Sequence, residues 1–167
     1  MKPNPFAAIA GIYQLHNYTN YDQNNQPFNQ PNWGTSTPEG IINYSPTGFV
    51  STVMRSSDPA LLPSSDLTYP PKANQSDHDW TLIGRSTLAY AGPYTVHEVG
   101  KGYGWIEHGP LVFTHVPSMT GNSLFRNYST SRETLGEGGK EKKVVVIKLT
   151  FPLGGNGRSE LFWKKID

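Results

Sequence analysis

Between Leu88 and Tyr128 the chain carries three runs rich in β-branched and aromatic residues, separated by glycine-containing turns, and no other stretch restricts the fold as much. Side chains along a strand face alternate sides, so residues two apart share a surface. Two of these runs place an ionisable residue in an otherwise apolar set: Leu111, Phe113 and His115 in one, Leu124, Arg126 and Tyr128 in the other. A sheet with a greasy inner face and a few polar groups set into it follows from that pattern, and such a sheet implies a pocket. Val112, Thr114 and Val116 on the opposite side of the first run are equally apolar, so alternation alone does not orient it.

The chain of 167 residues fits one domain, taken as 1–167, and is long enough to bury a substantial core. A net charge of +1 with only 16% charged residues creates no broad field, which argues against nucleic acid or an anionic membrane surface as a partner. Without cysteine there is neither a disulfide framework nor thiolate chemistry. The N-terminal apolar run is short and broken, unlike a signal peptide or membrane span, so a cytoplasmic location is the expectation. Abundant tyrosine, asparagine, glycine and proline suit many strands joined by many turns.

Taken in order, residues 7–19 put Ile9, Gly11, Tyr13 and Leu15 on one face of a first strand, with Gly11 leaving room for a close neighbour. The polar, proline-punctuated 20–38 segment reads as a mouth or lid loop with Phe28 and Trp33 as its apolar handles. Ser45-Pro46-Thr47-Gly48 has the residues of a type I turn and joins the two strands of a hairpin over 40–55. After a second proline-rich connection, Ser76 and Asp79 resemble a capping box opening one short helix, which would lie over an end of the sheet. Runs at 88–99, 104–117, 123–131, 143–151 and 159–166 bring the strand count to eight, with a charged glycine turn in LGEGGKEKK. Eight antiparallel strands linked by short turns predict an all-β, closed up-and-down barrel whose interior holds one small ligand.

GIYQL, GIINYSPTGFVSTVM, LAYAGPYTV, PLVFTHVPS, SLFRNYS and LFWKKI, in this order and over nearly the whole chain, resemble the lipocalin-like domain family of small fungal and bacterial proteins. The resemblance implies a calycin-type barrel with a short helix, and some relatives in secondary-metabolite clusters look like cofactor-free isomerases or cyclases. The lipocalin GxW signature appears as Gly11-Ile12-Tyr13, a departure that separates the chain from secreted lipocalin carriers. By the same resemblance His115 and Arg126 face inward.

The expected interior then holds Tyr13, Tyr44, Tyr90, Tyr94, Phe113, His115, Arg126 and Trp163, with Leu161 beside Trp163 on the last strand. Burial alone, at roughly 1.5–3 kcal/mol for each aromatic, explains most of the rings. A buried guanidinium is different, because it needs a carboxylate, carbonyls or a polar ligand group. The expected function is a cofactor-independent isomerase or cyclase acting on a hydrophobic, oxygenated metabolite. His115 would move a proton, Arg126 would stabilise an enolate or alkoxide and Tyr90 would donate a hydrogen bond, while Tyr13, Tyr44, Tyr94, Phe113 and Trp163 shape the ligand site. The rival is a passive carrier of a small hydrophobic ligand, which needs the cavity but no titrating group. No cofactor is expected. His97, Glu98, Glu107, His108 and His115 lack HxH or HExxH spacing for a metal, GEGGK is not a phosphate loop, and no GxSxG elbow occurs. A homodimer would pair through the outer wall or loops.

Overall fold

The computed structural model describes residues 6–137 and 140–167. Along the chain come β1 (Gly11–Tyr21), the two-residue β2 (Pro27–Phe28), β3 (Glu39–Tyr44), β4 (Phe49–Arg55), the helix α1 (Asp77–Arg85) and β5 (Thr87–Gly100). After them come β6 (Tyr103–His108), the two-residue β7 (Phe113–Thr114), β8 (Leu124–Glu137), β9 (Lys140–Pro152) and β10 (Arg158–Lys165). With β2 and β7 set aside, the other eight of the ten strands pair antiparallel in the ring β1-β3-β4-β5-β6-β8-β9-β10, closed by β10 against β1. The expected closed eight-stranded barrel with one short helix is the observed fold. The β8–β9 hairpin is longer than the sequence runs suggested, and the tip of its glycine turn, residues 138–139, lies outside the described residues.

Alternation holds where the strands are regular. On β4, Val50, Thr52 and Met54 are buried and the residues between them exposed; on β10, Ser159, Leu161 and Trp163 are buried. On β1 the register with β10 slips between Leu15 and Asn17, which reverses the inward set. Tyr13 and Leu15 point inward before the slip, Tyr18 and Asn20 are turned in after it. Gly11 does admit a close neighbour: a Cβ there would sit 2.5 Å from Cε of Lys165. At α1 only half of the capping box forms. Ser76 accepts the Asp79 N–H, whereas the Asp79 carboxylate takes the N–H of Ser64.

The run 104–117 is not one strand. β6 ends at His108, and the chain turns at Gly109-Pro110, where proline offers no N–H to continue the ladder. The continuation folds back over β5, with Val112 donating to the Ala91 carbonyl and β7 pairing with Tyr90 and Ala91. Leu111 is buried by this crossing, but Phe113 faces out and is 59% exposed, so its expected place inside the barrel is corrected. Gly92 makes the crossing possible, since a Cβ there would lie 3.0 Å from Cα of Leu111 and 3.1 Å from the Pro110 carbonyl oxygen. Both neighbours are backbone and cannot swing aside. Gly92→Ala should therefore cost about 1–3 kcal/mol in urea unfolding, by displacing the 110–112 segment.

Candidate ligand cavity

The barrel interior is divided into a filled end and an open one. At the filled end the rings of Phe6, Tyr94, Tyr44 and Tyr13 touch in series, at centroid distances of 5.0, 5.1 and 6.3 Å. The hydroxyls of two of them are committed to backbone: Tyr94 donates to the Ser45 carbonyl at 2.7 Å and Tyr13 to that of Ile9 at 3.0 Å. Burial raises the pKa of Tyr94 to about 12 and lifts that of Tyr44 well above its ordinary value, so these rings stay neutral. Tyr13, Tyr44 and Tyr94 are thus interior, as alternation requires, and form a packed floor outside the lining of the cavity above it.

Above the floor lies a cavity of about 330 Å³, within the usual size range for small-ligand sites. Met54, Leu88, Leu149, Phe151, Leu161 and Trp163 supply much of its apolar wall. Gly84 and Arg85 of α1 and the 30–33 segment border it, so the helix and the 20–38 loop stand at its mouth. That loop is pinned from the barrel side. Ser56 donates to the Trp33 carbonyl at 2.9 Å, and the Asp58 carboxylate accepts both the N–H and the hydroxyl of Thr35 at 2.7 and 2.9 Å. Trp33 is buried and lines the cavity, whereas Phe28 is largely exposed.

The three side chains given chemical roles by the sequence, Tyr90, His115 and Arg126, all line this cavity, as does Trp163. Arg126 reaches it from β8. Its Nη1 donates to the Phe125 carbonyl at 2.9 Å and its guanidinium lies 4.0 Å from the Phe151 ring centroid. Among the described residues it makes no ion pair, and no aspartate or glutamate lines the cavity. Trp163 adds a buried indole N–H without a partner among the described residues. The open end is therefore largely apolar, with Arg126 on its wall and Arg85 of α1 at its mouth.

His115 follows the crossing segment and is anchored against β5. Its N–H donates to the Ala89 carbonyl at 3.0 Å, and its Nδ1 lies 3.1 Å from the Ala89 nitrogen and 3.4 Å from the Ala89 oxygen. The shorter contact, an N–H donated to Nδ1, puts the imidazole proton on Nε2; the longer one would hold the other tautomer. Either way Ala89 serves as the orienting partner.

Sequence reasoning missed His108, which it weighed only as a metal ligand. The alternation was there to find it, since Ile106 and His108 share a face of β6 opposite Trp105 and Glu107. His108 is fully buried between two tyrosines: the Tyr44 hydroxyl lies 2.8 Å from Nε2 and the Tyr90 hydroxyl 2.9 Å from Nδ1. Burial, with the charge of Arg126 adding to it, lowers the His108 pKa to about 3, so the ring is neutral. Burial raises the Tyr90 pKa, and the nearby charge of Arg126 opposes the rise. Tyr90 thus joins the packed floor to the cavity, with His108 on one side and Arg126 on the other.

A family model described as a lipocalin-like domain matches residues 10–166. The chain belongs to the lipocalin-like domain family. No curated protein and no solved structure matches it significantly. Membership accords with a barrel built to hold a small hydrophobic ligand, and the cavity above the tyrosine floor is the place for one. Among the described residues no helix is long and apolar enough to cross a membrane.

His108 makes stability depend on acid. Its pKa is about 3 in the folded barrel and 6.5 when free, so between those values the unfolded chain holds a proton that the folded one lacks. Unfolding then takes up a proton, and stability falls as pH falls through that window, by about 1.4 kcal/mol per pH unit from this one group. Between about pH 6.5 and pH 5 the wild type should lose roughly 2 kcal/mol more than His108→Gln, compared by urea unfolding of both proteins.

Proposed function

We propose that this lipocalin-like protein binds a small, mostly apolar, oxygenated molecule in the cavity and isomerises or cyclises it without a cofactor. The observation that carries the reading is Arg126: a permanent cation on the cavity wall, beside the Tyr90 hydroxyl, with no carboxylate partner among the described residues. A ligand oxygen that gains negative charge would complete it. In the proposed reaction a proton leaves a carbon next to a carbonyl for Nε2 of His115, in the tautomer held by the Ala89 oxygen. The electron pair moves onto the oxygen faced by Arg126 and Tyr90. Return of the proton to a different carbon gives an isomer; attack of the enolate carbon on a second carbonyl of the same molecule gives a ring whose new alkoxide takes the proton back from His115. No electrons are gained or lost overall, and a cytoplasmic setting would suit such a catalyst.

One observation favours the carrier reading instead. The shorter of the two Ala89 contacts leaves Nε2 protonated, and a histidine in that tautomer is a donor and not a base. Mass analysis separates the two. Any molecule that co-purifies with the protein is released by denaturation, identified, and incubated with fresh protein. An isomerase or cyclase converts it to a product of equal mass and different chromatographic retention. Arg126→Ala should slow the conversion by about 100-fold or more, the usual cost of losing a group that stabilises an oxyanion, and His115→Ala by a similar factor. Unchanged ligand with wild-type protein identifies a carrier.

A further inference from the structure

We infer that the Tyr44–His108–Tyr90 chain orients the Tyr90 hydroxyl proton into the cavity, so that the ligand group held there is an acceptor oxygen, a carbonyl or its enolate, and His108 is a positioning residue. This rests on the reading of the cavity as a ligand site, and it adds the direction of the hydrogen bond and the class of group that can answer it.

The direction follows from counting donors. A neutral imidazole has one N–H and one lone pair, yet both ring nitrogens of His108 meet tyrosine hydroxyls, at 2.8 and 2.9 Å. One tyrosine must therefore give its proton to the ring and the other must accept from it. The accepting tyrosine keeps its own proton for a third group. Among the described residues His108 is the sole hydrogen-bonding partner of the Tyr44 hydroxyl, and Tyr44 is 1% exposed. Were Tyr44 the acceptor, its proton would be stranded in the packed floor. With Tyr44 as donor to Nε2, the ring N–H lies on Nδ1 and is given to Tyr90. Tyr90 is the one of the two that borders the cavity, and the Arg126 guanidinium lines the same cavity close enough for its charge to lower the Tyr90 pKa. Its own proton is left to point into open space, next to a guanidinium that also only donates.

Two donors converging from one side select the chemistry of what they meet. A ketone, carboxylate or enolate oxygen accepts from both; an ammonium or an amide N–H would face donors and be rejected. A neutral His108, held off from protonation by the low-dielectric floor and the nearby Arg126, keeps the direction fixed across the physiological pH range. The charged and titratable groups that bear on it are Arg126, Tyr44 and Tyr90, and reversing the chain would make Tyr44 the acceptor and strand its own proton in the floor.

Long-range proton–nitrogen correlation spectra of uniformly ¹⁵N-labelled full-length protein read the tautomer directly. The His108 signals are assigned by their loss in His108→Gln and by their failure to titrate near neutral pH. The expected result is a protonated Nδ1 and an unprotonated Nε2; a protonated Nε2 overturns the inference, whatever the cavity binds. A second arm uses Trp fluorescence with two probes of the same shape, 2-acetylnaphthalene and 2-isopropenylnaphthalene. Wild-type protein should bind the ketone roughly tenfold more tightly than the alkene, and Tyr90→Phe should erase the preference while still binding both. Equal affinities in the wild type, or a preference that survives in Tyr90→Phe, contradict the inference while leaving the cavity a ligand site. Binding of neither probe counts against the cavity reading, and the tautomer then decides the hydrogen-bond direction alone.

Discussion

Placing a guanidinium on the inner wall of an apolar barrel is costly unless something accepts its hydrogen bonds and spreads its charge. Around Arg126 the protein supplies a backbone carbonyl and the face of Phe151, but among the described residues no carboxylate. The charge is held in place and left uncompensated. Its neighbours reflect that choice: His108 is kept neutral and Tyr90 is acidified relative to what burial alone would give. An unpaired cation in a cavity lined by no carboxylate is a constraint on what can enter.

Barrel closure makes this arrangement possible. Pairing of β10 with β1 satisfies the edges, so the inner wall can be specialised without exposing ladder groups. The tyrosine floor fills one end with side chains whose hydroxyls are already engaged, and it fixes His108 between Tyr44 and Tyr90. The other end stays open because α1 and the pinned 30–37 segment cap it without filling it. Rigidity at the floor and space at the mouth are two results of one packing scheme, and Tyr90 sits where they meet.

The barrel itself could be read from residues. The Ser45–Gly48 turn, the Ser76 cap, and the buried alternation of Leu161 and Trp163 each carry a local signal strong enough to survive folding. Arg126 and His115 both line the cavity, His115 by a route other than a continuous strand. Alternation continued through Leu111, Phe113 and His115 as if along a strand, and Pro110 in the middle of the run was the sign that it does not. Phe113 was misplaced for that reason. Periodicity also distinguishes inside from outside but says nothing about position along the barrel axis, so Tyr13, Tyr44 and Tyr94 could not be told apart from Tyr90. The reversal of β1 after Leu15 is a register effect between strands far apart in sequence, and no local pattern announces it.

The central claim is that the cation at the cavity wall is completed by an oxygen of the ligand. A crystal structure of the protein soaked with 2-acetylnaphthalene measures this most directly. The carbonyl oxygen should lie about 3 Å from both the Arg126 guanidinium and the Tyr90 hydroxyl, with the rings buried against Phe151 and Trp163. A cavity closed by repacked side chains, an Arg126 turned out to solvent, or a ligand oxygen directed to the mouth would contradict it.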